Sequence, residues 1–225
     1  MIPAPSRRQL LTLFATAPIL TLPACVGMGS WSLTDAVREL MTLSSQRAIA
    51  TLTEPGGFYD SQIARLDLPA QWGGHGGSLA DRILNSALFK ERLTREVNGV
   101  AEKGAARAAP LFVEAIRSIS IADAAAILRG GPTAATDLLQ RSMGNSLIGA
   151  MFPAVQDALQ MASNPIIGEA LRATSGVNIS DLAQNIARQS NDAIFRAIGQ
   201  EEAAIRANPQ ATRNPLLIGA LVLGK

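Results

Sequence analysis

The sequence predicts an all-α fold, a single-domain bundle of long and short helices. Aromatic residues make up only 4% of the chain, whereas alanine and leucine are abundant. This composition favours helix over strand. Apolar residues recur at helical spacing, and no segment shows the alternation of a half-buried strand. Gly and Pro breaks divide the chain into segments of helical length.

Three helix starts in the first part of the chain have the spacing of a capping box, in which a hydroxyl and an acid three residues later cap the helix reciprocally. They are Ser32 with Asp35, Ser78 with Asp81, and Ser120 with Asp123. The predicted helices are Leu33–Leu52, Leu79–Ala108, Leu111–Arg117 with Pro110 at its first position, and a short helix that stops at Gly130. Residues 58–77 are less regular and predict one or two short helices.

The second part of the chain predicts four helices. They run from Thr133 to Ala162 with a kink at Pro153, from Pro165 to Arg172, from Ile179 to Ala207 behind the cap Asn178, and from Pro215 to Gly224. The last helix is apolar but too short to cross a bilayer, which requires about 20 residues. We expect it to pack in the core, with the membrane surface and a partner protein as alternatives.

The first 24 residues have the features of a signal peptide. Arg7 and Arg8 are followed by the apolar run Leu10–Ala24, and no further charge appears before Asp35. A run of this length is too short to span a bilayer as a helix. A basic start, a short apolar segment and a small final residue are typical of an export signal.

Two motifs refine this prediction. Leu22–Cys25 resembles a lipobox, in which the cysteine is acylated and the preceding bond is cut; Ser6–Leu11 resembles a twin-arginine signal. The expected organisation is a signal peptide (1–24), a lipidated tether (25–32) and a helical domain (33–225). Because Val26 is not acidic, the sorting pattern of Gram-negative lipoproteins predicts the periplasmic face of the outer membrane.

Charge and cysteine content restrict the function further. Removal of Arg7 and Arg8 from the 20 basic residues leaves 18, which equals the 18 acidic residues. A neutral domain does not have the charge of a nucleic-acid-binding protein. Cys25 is the only cysteine, so an intramolecular disulfide is impossible and an acylated Cys25 cannot act as a catalytic thiol.

No catalytic constellation is evident in the sequence. His75 is the only histidine and lies in the glycine-rich stretch Gly73–Gly77. A zinc site of the usual type would need more His or Cys ligands. A Ser-His-Asp triad would have to use His75, which lacks a rigid platform. The glycine-rich stretch is not followed by the Lys-Ser/Thr pair of a phosphate-binding loop. We therefore expect neither a metal nor a cofactor, and no enzyme activity.

Five polar residues are candidates for a pocket between helices. Glu202 and Arg206 have the i,i+4 spacing of an ion pair on a helix. Asn98 and Glu102 have the same spacing and therefore lie on one helix face. Glu201, which is adjacent to Glu202, projects in another direction. The simpler interpretation of Glu202 and Arg206 is a structural ion pair.

Several segments together resemble a bacterial family of exported helical proteins, the domain of unknown function 4197. They are Ala109–Ile116, Asp123–Ala124, Ile127–Gly130, Ala134–Thr136, Asn191–Phe195 and Glu201–Pro209, with Asn98 and Glu102 before them. The resemblance extends from about Trp31 to Leu217. It departs from the family pattern at Gln71–Gly77 and in the more apolar tail. It implies an exported helical protein and supplies no mechanism.

Three hypotheses for the function follow. The first is a non-enzymatic lipoprotein that is held at the membrane by acyl chains on Cys25 and binds an envelope protein or another envelope component. The second is a carrier of a lipid or other apolar ligand, which predicts an enclosed apolar cavity. The third is a metal-independent enzyme that uses Glu102, Glu201 or Glu202, for which acids must converge in a pocket.

Overall fold

A computed structural model of the chain describes residues 32–68, 82, 85–160 and 178–223, all within one compact unit. These residues form helices and contain no strand, so the predicted all-α bundle is confirmed. The α-helices are α1 (Leu33–Leu52), α2 (Ala87–Ser118), α3 (Ala124–Arg129), α4 (Ala134–Met143), α5 (Ser146–Gln160), α6 (Ile179–Ala207) and α7 (Pro215–Leu223); a 3-10 turn, Pro209–Thr212, precedes α7.

Several predicted features lie outside the described residues. They are the signal peptide with Arg7 and Arg8, the acylated Cys25, the loop histidine His75, the helix start at Leu79 and the helix from Pro165 to Arg172.

Four long helices enclose the core. Helix α2 packs against α5 and α1, and α6 packs against α1 and α5. Each contributes a stripe of apolar side chains at helical spacing, as expected of an amphipathic helix. Fully buried members of these stripes include Leu40, Met41, Leu93, Leu147, Met151, Leu182 and Ile186.

The helix ends of α1 and α6 follow the predicted capping patterns. The Ser32 hydroxyl accepts from the Asp35 amide at 3.1 Å, and the Asp35 carboxylate accepts from the Ser32 amide at 3.0 Å. At α6 the Asn178 side chain accepts from the Ser180 amide at 2.8 Å. Such caps satisfy amides that have no partner within the helix. The predicted bounds of α1 and α6 are confirmed.

The prediction that Pro110 opens a new helix was wrong, because α2 continues through it to Ser118. A proline within a helix removes one hydrogen bond, here to the carbonyl of Ala106. Both Pro110 and Ala106 are exposed, so water can reach that carbonyl. The buried stripe continues across the proline through Ala108 and Phe112, and its packing keeps the helix intact. At its other end α2 begins after its cap Ser86, so residues 85 and 86 interrupt the single helix that was predicted to run from Leu79 to Ala108.

Three further helix assignments differ from the prediction. Helix α3 is capped by Asp123, which accepts from the Ala126 amide, rather than by a box that starts at Ser120. The helix expected from Thr133 to Ala162 is divided at Gly144, whose φ of 50° lies in the left-handed region. Glycine adopts this conformation without the steric cost of a Cβ. Residues 58–68 form turns and irregular backbone rather than helix.

Helix α7 lies against α1 and α3, as expected for a core helix. Leu217 and Leu221 are buried, and the Asn214 side chain before the helix donates to the Glu39 carboxylate of α1 at 2.8 Å. Among the described helices, none is both long and apolar enough to cross a membrane.

The close packing of α2 on α5 leads to a prediction about two glycines of α2. A Cβ at Gly104 would lie 3.1 Å from both Met151 and Val155 of α5, whereas a Cβ at Gly99 meets nothing within 4 Å. Gly104→Leu should therefore lower the free energy of unfolding by about 1–3 kcal/mol. Urea unfolding measures this loss, and Gly99→Leu is the matched control that should show none. Equal effects of the two variants would contradict the packing described here.

Candidate functional site

The most completely bonded polar group in the described residues is the carboxylate of Glu202 on α6. The residue is 0% exposed. Its Oε1 accepts from the Ala135 amide at 3.0 Å, and its Oε2 accepts from the amide and hydroxyl of Thr136 at 2.7 and 2.6 Å. Both amides belong to the first turn of α4, where helical N–H groups lack partners within the helix.

Arg206, one turn further along α6, pairs with the same carboxylate. Its Nε donates to Oε1 of Glu202 at 2.8 Å, and its Nη2 lies 2.7 Å from that oxygen. The guanidinium also donates to the carbonyls of Leu128 and Ile127, at 2.8 and 3.0 Å. Both carbonyls lie in the last turn of α3, where the Leu128 carbonyl lacks a helical partner and the Ile127 carbonyl also accepts from the Gly130 amide at 3.2 Å.

The pair therefore caps two helices from a third. Thr133, the N-cap residue of α4, makes no capping bond with its side chain, and Glu202 takes over this role. Arg206 does the same at the end of α3. Negative charge is favourable at a helix N-terminus, and positive charge at a C-terminus. We call this group of contacts the α3–α4 clamp.

The chemistry of the clamp is structural. Five donor atoms surround the Glu202 carboxylate, which solvent does not reach. A carboxylate engaged in this way has no free lone pair to accept a substrate proton.

Asn98 of α2 performs a similar task for the irregular segment that follows α1. It is 0% exposed. Its Oδ1 accepts from the Leu66 amide at 2.8 Å, and its Nδ2 donates to the Leu66 carbonyl at 3.1 Å and to Thr94 of its own helix at 2.7 Å. The side-chain amide thus pairs with a buried backbone unit that would otherwise lose its hydrogen bonds.

Glu102, one turn after Asn98, contacts the beginning of the same segment. Partial burial raises the pKa of its carboxyl above the ordinary value. Hydrogen bonds from the backbone amides of Phe58 and Gly56 act in the opposite direction, and the charge of Asp60 raises the pKa further. Asn98 and Glu102 share a helix face, as their spacing predicts. Both face the irregular segment formed by residues 56–66, which we call the 56–66 segment.

Side chains that the sequence pattern did not indicate also hold this segment. Arg196 of α6 donates to the Ile63 carbonyl at 3.0 Å. The guanidinium carbons of Arg65 and Arg95 each lie 4.1 Å from the centre of the Tyr59 ring, within the range of a cation–π contact. Only the aromatic residues, Phe58 and Tyr59, could have signalled that this segment is packed.

The five polar candidates therefore occupy different surroundings. Glu202 and Arg206 come together in the clamp, whereas Asn98 and Glu102 face the 56–66 segment. Glu201 lies 3.9 Å from Arg47 of α1, and both side chains are more than a third exposed. An exposed pair of this kind contributes little to stability.

The described surface includes three cavities of similar volume. One of about 510 Å³ lies between α4 and α6 and has polar walls that include Asp137, Gln140 and Asp192. A second of about 590 Å³ borders Gly130, Gly131 and Arg206. The largest, about 670 Å³, lies between α1 and α2.

We call the largest cavity the α1–α2 groove. Its lining residues are Thr42, Ser45, Gln46, Ile49, Ala50, Ala106, Ala109, Pro110, Phe112, Val113, Ile116 and Arg117. Several of them, such as Ala50, Ala106 and Val113, are exposed, so the groove opens to solvent instead of forming the enclosed cavity that the carrier hypothesis predicts. In the part of the chain that the structure describes, no group of three or more His, Cys, Asp or Glu side chains could hold a metal ion.

The clamp leads to a prediction for two adjacent acids. Glu202→Gln removes the buried charge that Arg206 requires and should lower the free energy of unfolding by about 3–5 kcal/mol. Glu201→Gln is the matched control, for which the loss should stay below about 1 kcal/mol because its ion pair is exposed. Urea unfolding followed by circular dichroism gives both values. Similar losses in the two variants would show that the clamp does not hold the helices.

The raised pKa of Glu102 leads to a prediction about pH. The folded protein binds a proton at Glu102 more readily than the unfolded chain does, so it gains stability as the pH falls from neutral through the raised pKa towards the ordinary value of 4.5. Glu102→Gln lacks this gain. The unfolding free energy of the unchanged protein, relative to the variant, should therefore rise as the pH is lowered from about 7 to the ordinary value of 4.5. A constant difference across this range would rule out the assignment.

The comparisons with known proteins agree with the resemblance seen in the motifs. No curated protein and no solved structure matches the chain. The family described as a protein of unknown function, DUF4197, matches residues 28–220. The chain therefore belongs to the DUF4197 family.

Proposed function

We propose that the chain is an exported lipoprotein, anchored through acyl groups on Cys25, and that its helical body is a non-enzymatic binding module at the cell envelope. The observation that carries the proposal is the position of Cys25. It directly follows Ala24 at the end of the apolar run, and Arg7 and Arg8 are the only charged residues before Asp35. This arrangement is typical of a signal peptide that ends in a lipobox. Ser6–Leu11 is consistent with the twin-arginine route.

The short distance along the chain between the anchor and the folded body is consistent with this role. The cap of α1, Ser32, follows Cys25 after seven residues. Even fully extended, seven residues span only about 25 Å. A protein anchored at Cys25 would therefore keep α1 close to the membrane surface. Val26, which is not acidic, favours the periplasmic face of the outer membrane.

Binding rather than catalysis is supported by how the acidic side chains are used. Glu202 is capped by five donor atoms, Glu201 faces Arg47, and Glu102 accepts from backbone amides. The hypothesis of a carboxylate enzyme requires these acids to converge in a pocket. Because the three acids make separate contacts and do not share a pocket, they do not support the hypothesis of a carboxylate enzyme.

A second candidate function is the carriage of an apolar ligand, and the α1–α2 groove favours it. Its volume of about 670 Å³ falls within the range of small-molecule sites, about 300–1,000 Å³. Its walls are mainly Ala, Ile, Val, Phe and Pro side chains.

The lipid anchor can be tested by metabolic labelling with an alkyne analogue of palmitate, followed by membrane fractionation. The unchanged chain should incorporate the label and leave the membrane fraction only in detergent, because several buried acyl methylenes hold it there. Cys25→Ala should not incorporate the label, and its signal peptide should not be cleaved before residue 25. In the same experiment, Arg7→Lys combined with Arg8→Lys should block export by the twin-arginine route.

Ser30→Ala is the control, because it alters a neighbouring residue but leaves the lipobox intact. The anchor proposal fails if the unchanged chain takes up no label, or if Cys25→Ala is labelled and processed normally.

A further inference from the structure

We propose that the α1–α2 groove binds the acyl chain of an anionic single-chain lipid, with the head group at Arg117 and the chain running towards Ala106. This inference deepens the proposed role of a binding module. It is independent of the anchor at Cys25, so either proposal can fail without the other.

The wall that α1 contributes to the groove changes from polar to apolar along its length, whereas the α2 wall is apolar up to Arg117 at its end. Helices α1 and α2 run antiparallel here, because Arg38 near the start of α1 donates to the Ile119 carbonyl just after α2 at 3.4 Å. The first lining residues of α1, Thr42, Ser45 and Gln46, therefore lie towards the Arg117 end. An amphiphile has the same change of polarity along its length.

The apolar part of the groove consists of side chains that suit an alkyl chain. Ile49 and Ala50 of α1 face Ala106 and Ala109 of α2 there, with Pro110, Phe112, Val113 and Ile116 nearer the polar end. From Ala106 to Arg117 the helix rises by about 17 Å. Val113 is 45% exposed, so its side chain is accessible to a bound alkyl chain.

The charge of the groove selects an anion. Arg117 is the only charged residue among its lining side chains, so the groove carries one positive charge. Arg117 makes no ion pair or side-chain hydrogen bond with another described residue. A guanidinium matches the geometry of a carboxylate or a phosphate with two parallel hydrogen bonds.

Ser45 provides an independent indication of a ligand. Its hydroxyl is buried, the residue is only 4% exposed, and the oxygen has no hydrogen-bond partner. Buried polar atoms without partners are rare in folded proteins and require an explanation. The oxygen itself is covered in this structure, so a head-group oxygen near Arg117 would provide the missing partner after a rotation of the Ser45 side chain.

The ligand could be a free fatty acid or a lysophospholipid, since both have one acyl chain and an anionic head. The polar end of the groove lies near the start of α1, because Arg38 is only six residues after the cap Ser32. On the proposed topology, this end of the body is the one closest to the membrane, from which either lipid could come.

The test is displacement of a fluorescent fatty acid from the full chain carrying Cys25→Ser, so that no acyl group of its own competes. Octanoate, decanoate and dodecanoate should displace the probe with affinities that rise about fourfold per added methylene until the groove is filled. Dodecanol should bind about tenfold more weakly than dodecanoate, because it cannot form the charge-assisted bonds to Arg117. Lysophosphatidylglycerol, in a separate arm, distinguishes the two sources: binding by either lipid supports the proposal and identifies the source.

Three variants locate the binding site, and two more are controls. Ala106→Trp should block the groove, and Arg117→Gln should remove the preference for dodecanoate over dodecanol. Ala204→Trp and Arg188→Gln, at exposed positions on α6, are the matched controls and should bind like the parent chain. Val113→Glu is a second blocking variant that should fold even if Ala106→Trp does not, because Val113 is half exposed.

The proposal is overturned if neither the fatty acids nor the lysophospholipid displace the probe from the parent chain. It is also overturned if the folded blocking variants bind as tightly as the parent, or if dodecanol binds as tightly as dodecanoate. Loss of acyl labelling at Cys25 would leave these results unaffected.

Discussion

The buried pair of Glu202 and Arg206 is the interaction on which the arrangement of the short helices depends. Helices α3 and α4 have only six and ten residues, too few to be stable in isolation. Their facing ends include the Ala135 and Thr136 amides and the Leu128 carbonyl, which lack partners within the helices, and the pair on α6 bonds to all three. The turn between them is thereby fixed against a helix that crosses the core. The carboxylate that forms the clamp is buried, and both of its oxygens accept hydrogen bonds from structural donors.

Local patterns predicted the helices that local interactions control. The caps of α1 and α6 act within four residues, so Ser32, Asp35 and Asn178 could be identified directly. The bundle overrode the local preference at Pro110, because the buried stripe of α2 continues on both sides of it. It overrode the pattern again at Gly144, where one positive φ divides a segment that is otherwise helical in composition. Tertiary packing decides such positions, and a short window of sequence does not contain it.

The sequence predicted which polar side chains lie one helical turn apart, but it did not predict the groups to which they bind. The i,i+4 spacing identified Glu202 with Arg206 and Asn98 with Glu102, but not the backbone groups that they bind, which lie far away along the chain. The sequence likewise did not predict the groove between α1 and α2. The stretch from Gly104 to Ala109 predicts close packing, and Gly104, Ala105 and Ala108 are indeed buried. The alanines on the adjacent face, Ala106 and Ala109, are too small to fill the space beside α1 and instead line the groove.

The central feature of this fold is the capping of α4 by Glu202. The most direct measurement is native-state hydrogen exchange of the Ala135 and Thr136 amides. First-turn amides of a helix usually exchange quickly because they lack helical acceptors. If the buried carboxylate holds them, both should exchange only through unfolding events close to the global free energy of unfolding. Exchange as fast as that of exposed amides at other helix starts would contradict the account.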